Sequence, residues 1–262
     1  MGRVDDKVVI ITGAGEGLGR VMAQLFTREG AQVVLAARRR DPLEETAALV
    51  REEGRDALIV PTDVTDEDAV VNMVRTTVGE FGRVDVMLNN ASQPGTDLHV
   101  WEQTLENWNR CIAAVVTGPM LCTREVLQQS MLDQRSGSIV NFSSTASING
   151  HPRKSHYAVA KSGLRLLTKT TAWEVGPYGI RCNCVVPGGI ATDLLFNYWE
   201  RIAKERGVTP DAIREESTKG AALRKVAEPE ETAQAALFLA SDESSAITGQ
   251  SIVVDSGVHM YG

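Results

Sequence analysis

Tyr157 and Lys161 are separated by four residues, within a stretch from His156 to Val175 whose residue pattern predicts a helix. At that spacing both side chains lie on the same helix face. A phenol ordinarily has a pKa of about 10, which is too high for efficient proton exchange at neutral pH. A neighbouring ammonium group favours the phenolate, so we expect Lys161 to lower the pKa of Tyr157. The pair predicts acid/base chemistry on a substrate oxygen, and an ordinary surface Tyr–Lys pair is the alternative.

Two serines follow the apolar segment Ser138–Phe142, which is predicted to be a strand. Ser143 and Ser144 therefore fall at the carboxyl end of that strand, where α/β proteins bind their ligands. A serine hydroxyl at that edge can form a hydrogen bond with a substrate oxygen. The two serines support the interpretation of Tyr157 as a catalytic group.

A glycine-rich segment, Thr12–Gly19, connects the first predicted strand to a helix. Glycine allows a tight turn and a close approach of the backbone to a pyrophosphate, whose charge then meets the helix N-terminus. A plain turn is the alternative for such a loop taken alone. The strand–loop–helix context favours a dinucleotide site.

The end of the second predicted strand indicates which dinucleotide. Enzymes that use NAD usually carry an acidic residue there to bind the ribose hydroxyls. This chain has Ala36 and Ala37 followed by Arg38, Arg39 and Arg40. Guanidinium groups bind phosphate oxygens in pairs, which favours the 2′-phosphate of NADP, with NAD possible. A solvated arginine cluster is the alternative, and Glu16 in the glycine loop is expected to repel that phosphate.

Short β-branched runs alternate with longer amphipathic stretches along the whole chain. Runs that are apolar on both faces are typical of strands buried in a parallel sheet, and alternating strands and helices require right-handed crossovers. The sequence predicts an α/β fold, a doubly wound parallel sheet of about seven strands flanked by helices, in a single domain over 1–262. The predicted strands are Val8–Ile11, Val33–Ala37, Leu58–Val60, Val84–Leu88, Ser138–Phe142, Cys182–Val186 and Ile252–Val254.

Helix boundaries are predicted from capping residues and prolines. Asp41 is predicted to cap a helix that has Pro42 at its first position, and Thr65 precedes a helix over Asp66–Phe81 that Gly82 ends. One long helix is predicted over Thr104–Met131, which Pro119 must kink or strain. The further predictions are a helix that Pro229 opens over Glu230–Ala240, and an insertion of helical composition over Leu194–Gly220 at the ligand-binding edge.

Composition bounds the class of protein. The chain has 262 residues, of which 43% are hydrophobic, so it can bury a sizeable core. A net charge of −7 argues against nucleic acid or anionic membrane as a partner, and no apolar run is long enough to span a membrane. We therefore expect a cytoplasmic protein. The four cysteines are predicted to be buried and reduced, and the histidines lack metal-ligand spacing, so no metal is predicted.

Taken together, these motifs resemble the short-chain dehydrogenase/reductase family, over essentially residues 5–258. The chain is similar to the branch that contains 3-oxoacyl-carrier-protein reductases, sugar dehydrogenases and hydroxysteroid dehydrogenases. The resemblance implies a Rossmann-like fold and a homotetramer. The matching segments are Thr12–Gly19, Asp63-Val64, Asn89-Asn90-Ala91, Ser144, Tyr157 to Lys161, Asn183 to Gly188, Thr192, Thr248-Gly249 and Asp255-Ser256-Gly257.

The resemblance also implies residue roles. Tyr157 would donate and accept the proton, Lys161 would bind the nicotinamide ribose, and Ser144, thirteen residues before the tyrosine, would hold the substrate oxygen, with Ser143 as the lesser candidate. The catalytic set is thus Ser144, Tyr157 and Lys161. The predicted cofactor-binding set is Gly13, Gly15, Gly17, Leu18, Gly19, Arg38, Arg39, Asp63, Val64, Asn90, Ala91, Tyr157, Lys161, Pro187, Gly188, Ile190 and Thr192.

One departure from the family pattern concerns catalysis. The family usually carries an asparagine three residues before the glycine that aligns with Gly118, and this chain has Val115 there. That asparagine is thought to support a water in a proton relay, and valine has no side-chain donor or acceptor. We expect a tuned relay in an active oxidoreductase that transfers a hydride between NADP(H) and a carbonyl or secondary alcohol. The alternative is a catalytically impaired nucleotide-binding sensor or scaffold.

Substrate specificity is expected from three segments, which are 92–101, 145–156 and 194–220. The second contains His151, Arg153, Lys154 and His156, a basic cluster that would attract an anionic substrate. A solvated or intersubunit face is the alternative. The aromatic residues Phe196, Tyr198 and Trp199 are expected either to form an apolar lid or to anchor their helix to the core.

Overall fold

The computed structural model describes residues 2–260, and its centre is a single sheet of seven parallel strands in the order β3-β2-β1-β4-β5-β6-β7. The sequence-based prediction of a doubly wound α/β fold is confirmed. All seven predicted strands are present, with ends that differ by at most two residues at each boundary. Their bounds are β1 Val8–Thr12, β2 Gln32–Ala37, β3 Leu58–Pro61, β4 Val86–Asn89, β5 Gly137–Phe142, β6 Ile180–Pro187 and β7 Ser251–Val254.

The central strands are buried on both faces, as their continuous apolar runs predict. Ile10 of β1 pairs with Val34 of β2 on one side and with Met87 of β4 on the other. Because successive side chains of a strand point to opposite faces, the apolar run contributes to two separate cores. Val9 and Ile11 belong to one core, whereas Ile10 belongs to the other.

Helices cover both faces of the sheet. The first, second and last helices pack on the face of Val9, and the third helix and the two long central helical runs pack on the face of Ile10. The bounds are α1 Gly17–Arg28, α2 Arg40–Glu52, α3 Glu67–Phe81, α4 Leu105–Ile112, α5 Gly118–Val126, α6 Leu132–Gln134, α7 Ser155–Val175, α8 Asp193–Arg206, α9 Pro210–Lys219 and α10 Pro229–Ala240.

The predicted cap of the second helix is wrong. Helix α2 begins at Arg40, so Asp41 lies within the first turn, where its carboxylate still interacts favourably with the positive end of the helix. Helix α3 begins one residue later than predicted, at Glu67, because the Asp66 carboxylate caps it by accepting a hydrogen bond from the Ala69 amide. Gly82 ends α3 as predicted, in the left-handed conformation with φ of 77° that glycine adopts without strain.

The long helix predicted around Pro119 is helical throughout but is not uniform. Between α4 and α5 the segment Ala113–Thr117 is π-helical, and a second π-helical segment, Leu127–Met131, precedes α6. The Gly118 amide donates to the Ala113 carbonyl five residues back. Pro119 has no amide hydrogen to donate to the preceding turn, and it lies just after the π-helical segment, where the regular hydrogen-bond pattern of the helix is interrupted.

The predicted insertion is helical and consists of α8 and α9. It forms a small apolar cluster of its own, in which Trp199, Ala203 and Ile213 are buried and Val226 packs against them. The four cysteines are free and buried, as predicted. Among residues 2–260, no helix combines the length and the apolar character that crossing a membrane requires.

Candidate active site

Ser144 and Tyr157 meet at the carboxyl edge of the sheet. Strand β5 ends at Phe142, and Ser144 opens a short 3₁₀ turn in which its hydroxyl accepts a hydrogen bond from the Ala146 amide at 3.2 Å. Tyr157 lies in the first turn of α7, where its phenol interacts with the Ser144 hydroxyl. A carbonyl oxygen placed between these two hydroxyls would have a hydrogen-bond partner on each side.

Lys161 is buried one helical turn beyond Tyr157. Its ammonium group lies 5.6 Å from the centre of the Tyr157 ring and donates a hydrogen bond to the Phe142 carbonyl at 2.6 Å. Burial lowers the pKa of Lys161 to about 8, against the weaker influence of the Cys184 and Cys111 thiols. The Phe142 bond anchors the ammonium group at the strand end that carries Ser144.

The expected lowering of the Tyr157 pKa by Lys161 is not what the structure shows. Burial of the phenol raises the pKa of Tyr157 to about 12, and the interaction with Ser144 lowers it less than burial raises it. Removing a phenolate from water costs more free energy than its hydrogen bond with Ser144 contributes. In the chain alone, Tyr157 is thus a proton donor at neutral pH.

Ser143, the lesser candidate for the substrate serine, has a different position. Its side chain is buried and donates a hydrogen bond to the Lys161 carbonyl at 2.9 Å. It therefore ties β5 to α7 and has no hydroxyl hydrogen left for a substrate. Of the two adjacent serines, Ser144 has the geometry for the predicted role.

Val115 lies in the π-helical segment Ala113–Thr117 and is fully buried. It packs in an apolar cluster with Cys111 and Ala160, against which the Tyr157 ring also packs. Burial raises the pKa of the Cys111 thiol to about 11, so this thiol is protonated and behaves as an apolar neighbour. The place of the expected asparagine is occupied by close-packed apolar atoms.

A cavity of about 220 Å³ opens beside the glycine loop. Its walls come from the ends of β1 and β2, the loop after β3 and the loop after β4, which the sheet order brings together. The predicted cofactor residues that line it are Gly13, Gly15, Arg38, Arg39, Asp63, Val64 and Ala91. Thr62, which sequence reasoning missed, also lines it, as do Ser92 and Gln93 of the segment 92–101 that is predicted to set specificity.

The glycine loop is held by close backbone contacts. A Cβ atom on Gly19 would lie 2.1 Å from the Gly13 carbonyl oxygen, and Gly13 itself has a φ of +69°. Gly19 is therefore required for packing α1 against the loop. Gly17 and Leu18 open the same helix, so these three residues position the helix N-terminus and do not line the cavity.

Asn90 supports the loop from the neighbouring strand. Its side-chain amide donates to the Thr12 carbonyl at 2.9 Å and to the Gly13 carbonyl at 3.3 Å. The Thr12 hydroxyl accepts from the amides of Asn90 and Ala91 and donates to the Leu88 carbonyl. Thr12 thus joins β1 to β4 where the predicted pyrophosphate site begins.

The arginine cluster contributes unequally to the cavity. Arg39 forms an ion pair of 2.5 Å with Glu16, and Arg40 pairs with Glu44 on its own helix. Within residues 2–260, Arg38 forms no ion pair, and it lines the cavity next to Arg39 and Glu16. Glu16 therefore neutralises part of the arginine charge, and Arg38 remains available to an anionic group.

Four predicted residues lie beyond this cavity, in the segment that follows β6. Pro187 ends the strand, the Gly188 amide donates to the Val254 carbonyl at 3.0 Å, and a Cβ atom on Gly188 would collide with Asp255. Ile190 pairs with Ala227, and the Thr192 amide donates to the Ile190 carbonyl. The segment is thereby fixed between β7 and the lid, which we define as α8 and α9.

Ion pairs connect the lid to the segments 92–101 and 145–156. Arg201 of α8 pairs with Asp97 at 2.6 Å, and Glu205 of α8 pairs with Arg153 at 3.4 Å. Two cations lie near the Tyr198 ring, with the Lys154 ammonium 4.6 Å from its centre and the Arg201 guanidinium 5.2 Å from it. Three segments predicted to set specificity are therefore physically joined.

These contacts bear on the alternatives left open for the basic cluster of 145–156 and for the aromatic residues of α8. Arg153 and Lys154 are engaged with the lid, and His156 is fully buried, so the predicted basic cluster is largely occupied by internal partners. Trp199 is 5% exposed and anchors α8, whereas Phe196 is 42% exposed. Among residues 2–260, no three His, Cys, Asp or Glu side chains are placed to hold a metal ion.

A larger cavity, of about 410 Å³, lies at the opposite edge of the sheet. It is lined by residues that precede or begin the strands, such as Lys7, Asp85 and Arg181. The Lys7 ammonium pairs with Asp242, and the Arg181 guanidinium donates to the carbonyls of Leu239 and Ser241. None of the residues with predicted chemistry is near it, so the smaller cavity is the better candidate for the cofactor.

Comparison with known proteins agrees with this geometry. Residues 13–259 match a family model described as enoyl-(acyl carrier protein) reductase. The chain is 38% identical over 255 residues to the short chain dehydrogenase/reductase astE of Aspergillus oryzae, covering 97% of this chain and 95% of the relative. It is 38% identical over 259 residues to the 3-oxoacyl-[acyl-carrier-protein] reductase FabG of Thermotoga maritima, covering 98% and 99%.

Solved structures are similarly close. Levodione reductase superposes with a TM-score of 0.91 at 33% identity, covering 96% of this chain and 97% of that structure. NAD⁺-bound xylitol dehydrogenase superposes with a TM-score of 0.92 at 31% identity, covering 97% and 99%. The likeness thus extends over nearly the whole chain in each case.

Proposed function

The chain belongs to the short-chain dehydrogenase/reductase family, and from that premise we propose that it transfers a hydride between NADP(H) and a carbonyl or secondary-alcohol substrate, with Tyr157 as general acid/base. The observation that supports this most directly is the meeting of Tyr157 and Ser144 at the sheet edge, with Lys161 hydrogen-bonded to the Phe142 carbonyl beside them. Residues 1–262 act as one domain, with 194–220 as its substrate segment.

Each catalytic side chain has a distinct task in reduction. The Tyr157 hydroxyl gives its proton to the substrate oxygen as the carbonyl carbon gains a hydride, and the Ser144 hydroxyl holds that oxygen by a hydrogen bond. Lys161 stabilises the phenolate that forms, because its charge lies on the same helix face. When bound, the nicotinamide supplies or accepts the hydride, and its oxidised ring adds positive charge that favours the phenolate in the reverse direction.

The remaining predicted residues have supporting roles toward the cofactor. Gly13, Gly15 and the N-terminus of α1 fit a pyrophosphate. The glycines have no side chain to keep a phosphate from the backbone, and the amides at a helix N-terminus bind phosphate. Asp63 and Val64 line the cavity and would contact the adenine, as the family resemblance implies. Pro187, Gly188, Ile190 and Thr192 would flank the nicotinamide. The residues present therefore fit a dinucleotide.

The preference for NADP rests on Arg38 and Arg39. Both line the cavity, and Arg38 has no carboxylate partner within the described residues. The test is oxidation of NADPH and NADH with a panel of ketones, 3-oxoesters, keto sugars and steroids, using Tyr157→Phe as control. We expect NADPH turnover that falls by about 100-fold or more in Tyr157→Phe. Turnover with NADH in place of NADPH would overturn the NADP preference and leave the proposed hydride transfer intact.

Two single substitutions test how the charges at this cavity contribute to cofactor binding. Arg38→Ala should raise the KM for NADPH by about tenfold with little effect on NADH, since a charge-assisted hydrogen bond contributes about 1.5–3 kcal/mol. Glu16→Gln should release Arg39 and strengthen NADPH binding. Equal effects on both cofactors would contradict a 2′-phosphate site. Tight binding of dinucleotide without turnover of any substrate would favour the sensor or scaffold alternative.

We further propose that the substrate is an uncharged small molecule. The basic residues expected to attract an anion are engaged instead, Arg153 with Glu205 and Lys154 with Tyr198. The test compares a neutral 3-oxoester with the corresponding 3-oxoacid at neutral pH. A lower KM for the acid would contradict the proposal.

The protein is also proposed to be a cytoplasmic homotetramer. Val159, Leu166 and Trp173 are exposed at intervals of seven residues and form one apolar stripe along α7, in which Trp173 is 86% exposed. Such a stripe favours contact with another copy. Trp173→Glu should reduce the mass measured by light scattering, whereas Lys204→Glu, a charge reversal at an exposed position of α8, should not. A monomeric wild type would refute the proposal.

A further inference from the structure

The loop 92–98 connects the cofactor cavity to the lid. At its start, Ser92 and Gln93 line the cavity beside the glycine loop. At its end, Asp97 pairs with Arg201 of α8, and the Leu98 amide donates to the Arg153 carbonyl at 2.9 Å. A shift of this loop would therefore move the cofactor wall and the lid together.

The middle of this loop is held by a closed ring of hydrogen bonds. The Thr96 amide donates to Asn107 Oδ1 at 2.8 Å, and Asn107 Nδ2 donates to the Thr96 carbonyl at 3.0 Å. Asn107 Nδ2 also donates to Gln103 Oε1 at 2.6 Å. The Gln103 amide bonds His156 Nδ1 at 2.8 Å, and His156 Nε2 bonds the Pro94 carbonyl at 2.7 Å, which returns the ring to the loop.

The ring has only one consistent arrangement of hydrogens. The Thr96 backbone determines the orientation of the Asn107 side-chain amide. The Thr96 N–H needs an oxygen as acceptor, and the Thr96 carbonyl needs an N–H as donor. Asn107 then fixes the Gln103 amide, whose nitrogen faces His156. A carbonyl can only accept, so the proton of His156 is assigned to Nε2, and Nδ1 accepts from Gln103.

His156 thus connects the loop 92–98 to α7, the helix that carries Tyr157 and Lys161. It is fully buried, and it is joined by a peptide bond to Tyr157. The left-handed backbone of Gly95 allows the close approach, since a Cβ atom there would lie 2.7 Å from Asn107 Oδ1 and 3.0 Å from His156 Nε2. The mechanism proposed above does not use His156, Gln103 or Asn107.

We propose that His156 is a positioning residue that, through Gln103 and Asn107, holds the loop 92–98 as the specificity wall between the cofactor and the lid. The inference rests on the proposed hydride-transfer function. Its consequence is that substrate recognition depends on the hydrogen bond from His156 Nε2 to the Pro94 carbonyl, although His156 touches neither substrate nor cofactor.

Two substitutions separate the two bonds of the imidazole. His156→Gln places an amide nitrogen where Nε2 was and keeps the donor to Pro94. His156→Asn keeps a polar atom near Nδ1 and loses the Pro94 bond. We expect His156→Asn to raise the KM of the carbonyl substrate about tenfold with kcat within about threefold, because a tenfold change corresponds to about 1.4 kcal/mol, which is within the contribution of one hydrogen bond. His156→Gln should recover most of the loss, and Arg75→Gln, at an exposed position of α3, is the control.

A structural role alone would give a different result. If His156 served only to stabilise the fold, both variants would lower the active fraction and kcat alike, with KM unchanged, and that outcome would overturn the proposal. Gly95→Ala offers an independent approach, since its methyl group enters the same ring while His156 stays in place. It should reproduce the rise in KM.

Hydrogen exchange distinguishes a failure of this inference from a failure of the proposed function. Exchange in the peptide 92–98 should accelerate in His156→Asn relative to wild type and Arg75→Gln, because Thr96 and Leu98 carry bonded amides. If the wild type reduces no substrate but this acceleration is seen, the hydride-transfer function fails while the positioning role stands. Unchanged exchange in His156→Asn would overturn the positioning role whatever the turnover.

Discussion

At the glycine loop, α1 and β1 approach until a single added methyl group on Gly19 would overlap the Gly13 carbonyl. Across the site, α8 reaches the rest of the protein through the charged side chains of Arg201 and Glu205, which are partly exposed to solvent. We refer to these as the inner half, with the catalytic end of α7, and the outer half, with the lid and the loop 92–98. Backbone sterics and burial hold the inner half. In the outer half, ion pairs between partly exposed side chains join the lid to its neighbours, and a hydrogen-bond ring through His156 holds the loop 92–98.

This difference explains why the two halves should respond differently to substitution. A backbone clash or a buried charge leaves the surrounding atoms no alternative arrangement, so its cost is large. Exposed ion pairs exchange their partner for water at little cost. The following substitutions test the contrast, beginning with the largest expected effect.

Gly19→Ala should be the most disruptive. Its Cβ atom would lie 2.1 Å from a backbone oxygen, so the free energy of unfolding should fall by about 3 kcal/mol or more and dinucleotide affinity should fall with it. Gly163→Ala is the matched control within α7, since its nearest contact is 3.8 Å away. There alanine should stabilise the helix by about 0.5–1 kcal/mol. Urea unfolding of both variants measures the difference, and equal effects would remove sterics as the cause.

Lys161→Met tests the buried charge. Burial lowers the pKa of Lys161 to about 8 from an ordinary value near 10.5, so between these pH values the unfolded chain binds the extra proton. Lys161 alone should therefore add about 3 kcal/mol of stability over that interval. Buried groups whose pKa is raised, such as Tyr157 and Cys111, lose stability over the same interval, but they do so in the wild type and in Lys161→Met alike. The measurement is urea unfolding at pH 7.5 and 10.5, and the difference in stability between the wild type and Lys161→Met should shift by about 3 kcal/mol in favour of the wild type. Lys169→Met, exposed on the same helix, should show the wild-type pH dependence.

Val115→Asn tests the apolar packing behind Tyr157. An asparagine would bury an amide among Cys111, Ala160 and the Tyr157 ring, so the free energy of unfolding should fall by about 1–3 kcal/mol. Turnover per folded molecule should be kept or raised, since the amide restores a side-chain site for a relay water. A large loss of kcat at unchanged folded fraction would contradict the relay interpretation. Half-buried Val116→Asn controls for the added polarity.

Arg201→Ala should have the smallest effect. It removes the ion pair to Asp97 and one cation beside Tyr198, yet stability should change by less than about 1 kcal/mol. The KM of the substrate should rise about two- to threefold, because the lid loses its link to the loop. Arg206→Ala breaks a pair with Glu216 inside the lid and should leave KM unchanged. A loss as large as that of Gly19→Ala would abolish the contrast between the halves.

The inner half could be predicted from sequence because its determinants are local. The apolar runs predict the strands, and Thr12–Gly19 predicts the turn, since glycine spacing and strand burial act within a few residues. The sequence could not predict the direction of the Tyr157 pKa, because burial of the phenol is set by chain segments far apart. The cap of α2 was misplaced for a related reason, as no side-chain hydrogen bond fixes that helix start.

The outer half was harder to predict. Leu194–Gly220 was recognised as a helical insertion by composition, but the partners of Arg153 and Lys154 lie about fifty residues away and leave no periodic signal. The same holds for the ring through Asn107 and His156. Hydrogen-bond partners at long separation depend on rotamers within the finished fold, which residue type does not specify.

On the role proposed for the lid, substrate specificity should vary with ionic strength, because ion pairs between partly exposed side chains join the lid to its neighbours. Charges at the surface are screened over about 10 Å in 0.1 M salt and over about 3 Å in 1 M salt, whereas close backbone packing does not depend on salt. Concentrated salt should therefore loosen the contacts of Arg153 and Arg201 while the glycine loop keeps its shape. The same polypeptide would then discriminate less sharply between substrates in a saline medium than in a dilute one.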